Sequence, residues 1–147
     1  MTLFSSQAIN LSLRGRTQAE ILHELAEMAA GLGKINNPKI FAQALTVREL
    51  HGSTGFGDGV ALPHTRSACV TSPGILVART AHPVTWNASD DEPVSCWLCL
   101  MIPENGSDAD TLLLSKLCRK MVNPDFIAAL KTRDEHGIVE LIFNAIS

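Results

Sequence analysis

Residues 52–67 read GSTGFGDGVALPHTRS: four glycines within eight positions, then aliphatic residues, a proline and His64. A simple turn uses one or two glycines. A backbone that wraps closely around another group uses more, because a residue without Cβ reaches conformations and approaches closed to the others. Two familiar glycine-dense devices do not fit. A P-loop requires Lys and Ser or Thr after its last glycine, but Gly57 is followed by Asp58 and Gly59. A dinucleotide fingerprint lies between a strand and a helix, whereas this segment follows a helical pattern and leads into an extended one. The third option is a loop whose amides and hydroxyls surround a phosphoryl group carried on a nearby side chain.

The flanks give the segment its setting. Upstream, TQAEILHELAEMAAGLG opens with Thr17 and Glu20 in capping-box spacing, places apolar residues at helical intervals and ends at Gly31 and Gly33. NNPKIFAQALTVREL follows, with Asn37 as cap and Pro38 at the first helical position. Downstream come extended pieces: GVALP, GILVART, a short HPVTW, and VSCWLCLMI, whose near-continuous apolar run suits a strand covered on both faces. Three more helices follow, SDADTLLLSKLCRKMV with Ser107 and Asp110 at its start, NPDFIAALK, and DEHGIVELIFNAI. Two helices, several strands and three helices predict an α/β fold, a mixed sheet flanked by helices on both sides.

The totals narrow the function. A chain of 147 residues suits one domain over residues 1–147, with a core large enough to need no staples. The net charge of −3 argues against nucleic acid and anionic membrane as partners, both of which call for a basic field. There is no tyrosine to help build a stacking platform. The N-terminal residues lack a signal-peptide pattern, and the longest apolar run is too short to span a bilayer. The expected location is the cytoplasm, with no membrane insertion.

Cys96 and Cys99 form a CxxC inside a predicted buried strand, where residues three apart face opposite ways. With no second CxxC, they read as core residues; no metal site and no cofactor are expected. Cys118 lies in an apolar pattern, and Cys69 in a loop with nothing to direct a histidine at it. A Cys–His hydrolase is disfavoured.

His64 is the candidate nucleophile. A neutral imidazole is nucleophilic near neutral pH and forms a labile N–P bond suited to passing a phosphoryl group onward. Its other nitrogen must then donate to a carbonyl or carboxylate, fixing the tautomer. Pro63 would restrain the backbone before it, Arg48 would pair with phosphate oxygens, and Ser53 and Thr54 offer hydroxyls. The residues alone leave open the plainer reading, a loop beside a structural histidine.

VRELHGSTGFGDGVALPHTR, residues 47–66, closely resembles the signature of the fructose/mannitol-type enzyme IIA domains of the bacterial phosphotransferase system: an Arg-Glu, a Ser-Thr, a glycine-rich stretch, then an aliphatic pair with Pro-His. Domain size and element order fit over essentially the whole chain. The resemblance implies phosphorylation of His64 by HPr or a nitrogen-type HPr and onward transfer to an enzyme IIB component, with no direct contact with the sugar. It also implies Arg48 as phosphate-side support and Ser53, Thr54 and Gly55 as pocket wall. Many relatives carry a second active-site histidine at the position of Asp110. A carboxylate there would repel a phosphoryl group, so transfer is expected to be slower or completed by a partner's group. We read Asp110 as the acid of a capping box three residues after Ser107. Nitrogen-regulatory IIA proteins share the signature and give an alternative, in which phosphorylated His64 alters docking to a regulatory target. His51 lies within the signature and reads as a helix-end residue rather than one bordering the pocket, and His23, His82 and His136 read as surface residues.

Overall fold

The computed structural model describes residues 3–147. A short 3-10 turn at Ser6–Ala8 leads into β1 (Ile9–Leu13), α1 (Gln18–Gly31) and α2 (Pro38–Leu50). Then come β2 (Gly55–Gly57), β3 (Val60–Ala61), β4 (His64–Ser67), β5 (Gly74–Val84) and β6 (Val94–Pro103), followed by α3 (Asp108–Lys120), α4 (Pro124–Thr132) and α5 (Glu135–Ile146).

The sheet runs β1-β5-β6-β3-β2, with β4 also paired to β6. β6 is its centre. Antiparallel β5 lies along one edge; β3 and β4 lie end to end, both parallel, along the other. Residues 96–101 of β6 and 75–78 of β5 are fully buried. Successive strand residues point to opposite faces, so both faces of the sheet are covered. This is the mixed sheet with helices on either side that the apolar runs predict. α1 and α2 pack together against β5 and β4, while α5 packs on α3 and α4, with α4 against β6.

Local chemistry sets the helix boundaries. The side chains of Asn37 and Asn123 accept amide hydrogen bonds from the first turns of α2 and α4, and each is followed by proline. Thr17 caps α1, but Glu20 receives the Arg16 amide rather than that of the cap residue itself. Gly33 takes the positive φ, 72°, that lets the chain leave α1.

Two features differ from the expectation. GILVART and HPV form a single strand, β5, whose register against β6 shifts between Arg79 and Val84. That irregularity accommodates Pro83, which lacks the N–H a regular ladder uses. β1 is additional: INLSL alternates apolar and polar over five residues, too few to mark a strand beside the stronger signals.

Candidate functional site

The stretch from Gly59 to Ser67 runs along β6 but breaks at Leu62-Pro63, between β3 and β4. Proline has no N–H for a ladder. Its carbonyl still accepts from the Leu100 amide at 3.0 Å, so the chain remains attached to β6. Leu62 is turned out of the ladder: its N–H donates to the Thr54 carbonyl at 3.0 Å. Its own carbonyl accepts from His64 Nδ1 at 2.7 Å. A carbonyl only accepts, so Nδ1 carries the proton and the Nε2 lone pair is left unprotonated.

His64 is half-buried at the first position of β4. Burial holds its imidazole below the ordinary value of 6.5, assisted by the Arg48 charge and opposed by the Leu62 carbonyl and Glu49. The ring is therefore neutral near pH 7, with its proton on the nitrogen that is not needed for attack.

Arg48 lies in the last turn of α2. Its Nη1 donates to the Gly52 carbonyl at 2.6 Å, tying the helix end to the first glycine of the loop. The Arg48 charge is felt both at His64 and at Cys118 of α3, so the guanidinium sits near the ring and near the other helix layer. Its remaining N–H groups form a fork matched to phosphate oxygens.

Glu49, which sequence reasoning assigned no role, is the hub of the loop. Its carboxylate accepts from the Thr54 amide at 2.9 Å, from the Thr54 hydroxyl, and from Trp86 Nε1 at 3.1 Å. Thr54 is buried and its hydroxyl proton is committed to Glu49. Both hydroxyls expected to offer donors are engaged within the loop. The Ser53 hydroxyl donates to the Trp86 carbonyl at 3.3 Å and accepts from the Gly55 amide at 3.0 Å. Gly55 faces Ala88 so closely that an added Cβ would lie 2.7 Å from the alanine's own. Gly57 and Gly59, at φ 97° and 81°, make the turn into β3. Only the adjacent Arg-Glu of the signature hinted at Glu49; nothing near it in sequence pointed to Trp86.

Asp110 completes the capping box at the start of α3. Its carboxylate accepts from the Ser107 amide at 3.1 Å, and its own amide donates to the Ser107 hydroxyl. Arg66, two residues after His64 on β4, donates to Thr111 Oγ1 at 2.7 Å, binding the first turn of α3 to the strand that carries His64. His51 ends α2, His23 pairs with Glu27, and His82 and His136 are exposed. Cys96 and Cys99 are buried core thiols, both pushed up to about 12 by desolvation.

Residues 2–145 match the family model of the phosphoenolpyruvate-dependent sugar phosphotransferase system, EIIA 2. The chain belongs to this EIIA 2 family. A fructose-like EIIA component of Escherichia coli is 38% identical over 147 residues, covering all of this chain and 99% of the relative. The nitrogen regulatory protein IIA-Ntr of Neisseria meningitidis superposes with a TM-score of 0.86 at 28% identity, over 95% of this chain and 96% of that one. The fold alone is shared with the mannitol enzyme IIA of Escherichia coli, solved in complex with phosphorylated enzyme IIB, at a TM-score of 0.77 and 18% identity over 96% and 97% of the two chains. Membership of the EIIA 2 family implies phosphotransfer. Among the described residues, no helix of this EIIA 2 chain is long and apolar enough to cross a membrane.

Proposed function

We propose that this EIIA 2 chain is a phosphocarrier that accepts a phosphoryl group on His64 Nε2 from an HPr-type donor and passes it to an enzyme IIB component serving a fructose-like sugar. The observation that carries the reading is the 2.7 Å bond from His64 Nδ1 to the Leu62 carbonyl. It leaves a neutral ring with one lone pair presented and the other nitrogen anchored.

In the transfer, the Nε2 lone pair attacks phosphorus in line with the donor's N–P bond. A new N–P bond forms as the old one breaks, and the departing electron pair stays on the donor imidazole. The Nδ1 proton remains shared with Leu62, stabilising the positive charge that the ring gains as Nε2 becomes bonded. Arg48 offers its free N–H groups to the phosphoryl oxygens, so positioning and charge complementarity supply the catalysis. The second transfer is the reverse geometry toward a nucleophile on enzyme IIB. Leu50 at the end of α2 and Leu112 near the start of α3 are 80% and 53% exposed. Bare apolar side chains on the elements bearing Arg48 and Asp110 suit brief docking of both partners.

The alternative is a nitrogen-regulatory role, in which phosphorylation of His64 switches binding to a regulatory target. Its specific support is the close superposition on IIA-Ntr. The experiment is intact mass after incubation with phosphoenolpyruvate, enzyme I and either HPr or nitrogen-type HPr, with His64→Ala alongside. Gain of one acid-labile phosphoryl group, absent in the variant, is expected. Subsequent loss of the group to a fructose-type IIB distinguishes the carrier from the regulator.

A further inference from the structure

A concavity of about 420 Å³ lies where β1 ends and β6 begins, against the second half of β5, lined by residues of the Leu11–Arg16 and Arg79–His82 segments together with Ser95 and Lys131. His64, Arg48 and the glycine-rich segment are not among its walls. Arg14, Arg16, Arg79 and Lys131 all line it, with no Asp or Glu. That is a third of the twelve lysines and arginines in a chain whose net charge is −3. Among the described residues, none of the four has a carboxylate within ion-pair distance.

Two of the cations are held in place. Arg79 Nη1 donates to the Leu130 and Arg133 carbonyls at 3.0 and 2.8 Å, at the end of α4. Lys131 Nζ donates to the Asp58 carbonyl at 2.6 Å. The other two stand on the β1–α1 loop, whose conformation is fixed from behind. Glu24 accepts the Arg14 and Gly15 amides and Glu20 accepts the Arg16 amide. Glu20 and Glu24 also share a neighbouring groove with Arg14 and temper the field there, yet the Arg14 and Arg16 side chains are exposed. The hydroxyls of Ser12 and Ser95 add neutral donors, while that of Thr80 donates to the His82 carbonyl at 2.6 Å.

We propose that this concavity is a binding site for a small phosphate monoester, separate from the phosphotransfer centre. Guanidinium forks match the paired oxygens of a phosphate, and a dianion is the charge that two free arginines balance. The volume lies within the range of small-ligand sites, about 300–1,000 Å³. The cations converge in a hollow rather than along a stripe, unlike the footprint of a nucleic-acid backbone. The inference does not depend on phosphorylation of His64.

The test uses the full chain titrated with glucose 6-phosphate, glucose and inorganic sulfate by calorimetry and amide NMR, at about 0.15 M salt. We expect saturable binding of the sugar phosphate only, with shifts centred on Ser12–Arg16 and Thr80–His82. Arg14→Ala and Arg16→Ala, both at exposed side chains, are each expected to weaken it about tenfold, the effect of losing one charge-assisted pair of about 1.4 kcal/mol. His64→Ala is expected to leave it unchanged. Absence of saturation, equal binding of sulfate, unaltered affinity in both arginine variants, or shifts centred on His64 would each overturn the proposal. The mass experiment above reports on His64 independently.

Discussion

The Leu62 carbonyl oxygen lies 2.7 Å from Nδ1 of His64, two residues further along the same strand edge. Leu62 can spare it because Pro63 interrupts the ladder, and β4 resumes pairing with β6 at His64 itself. The proline thus both breaks the strand and frees the Leu62 carbonyl, the acceptor that sets the tautomer.

That arrangement gives His64 a pH signature. Burial lowers its pKa below 6.5, so below that value the unfolded chain binds the proton more readily. The neutral-ring contribution to stability is fully present above about pH 6.5 and is lost as pH falls toward the folded-state value. Phosphoryl acceptance, which needs the folded ring neutral, should fall as pH passes down through that lower folded-state value. An NMR titration of the ring should give a midpoint below 6.5; a midpoint above it would contradict the burial argument.

Glu49→Ala should destabilise the fold by about 2–3 kcal/mol, because the Thr54 amide and hydroxyl and the Trp86 indole would lose their common acceptor. Glu49→Gln, which keeps an acceptor oxygen, should cost about half as much. Urea denaturation of the three proteins orders them directly.

At Asp110 the two roles separate. Asp110→Ala should cost about 0.5–1 kcal/mol through loss of the cap. Asp110→His should lose a similar amount of stability yet accelerate phosphorylation of His64 about fivefold, the scale of removing one carboxylate's repulsion of a dianion through a largely aqueous medium. Quench-flow with phosphorylated HPr reads the second effect. An unchanged rate would mean that the Asp110 carboxylate does not reach the phosphoryl group.

Gly55→Ala should be costly for a steric reason. The new Cβ would fall 2.7 Å from Cβ and 2.8 Å from Cα of Ala88, and backbone cannot swing aside. Displacement of the loop should lower stability by about 1–3 kcal/mol. Ala88→Gly in the same chain should recover part of it, measured by thermal melting.

Much of this is legible in the amino-acid sequence. The Asn-Pro starts of α2 and α4, the continuous apolar run of β6 and the Ser107–Asp110 spacing each reflect local chemistry that neighbouring residues decide. The need for His64 to anchor one nitrogen also follows from imidazole chemistry, although which carbonyl would do so does not. Partnerships that cross the chain were not legible. Trp86 reaches Glu49 across 37 residues, and the same carboxylate holds the Thr54 hydroxyl. β5 absorbs a proline because its partner strand tolerates a register shift, a property of the pair rather than of HPV.

Trp86 also packs against Trp97 with ring centroids 5.6 Å apart, and the chain has two tryptophans and no tyrosine. Indole emission would therefore come from this buried pair alone, and one of its members is hydrogen-bonded to the residue that organises the glycine-rich loop. The molecule carries its own optical probe. Any event that loosens Glu49 from Thr54 changes the surroundings of Trp86, so loop rearrangement during a phosphorylation cycle can be followed by stopped-flow emission without attaching a dye.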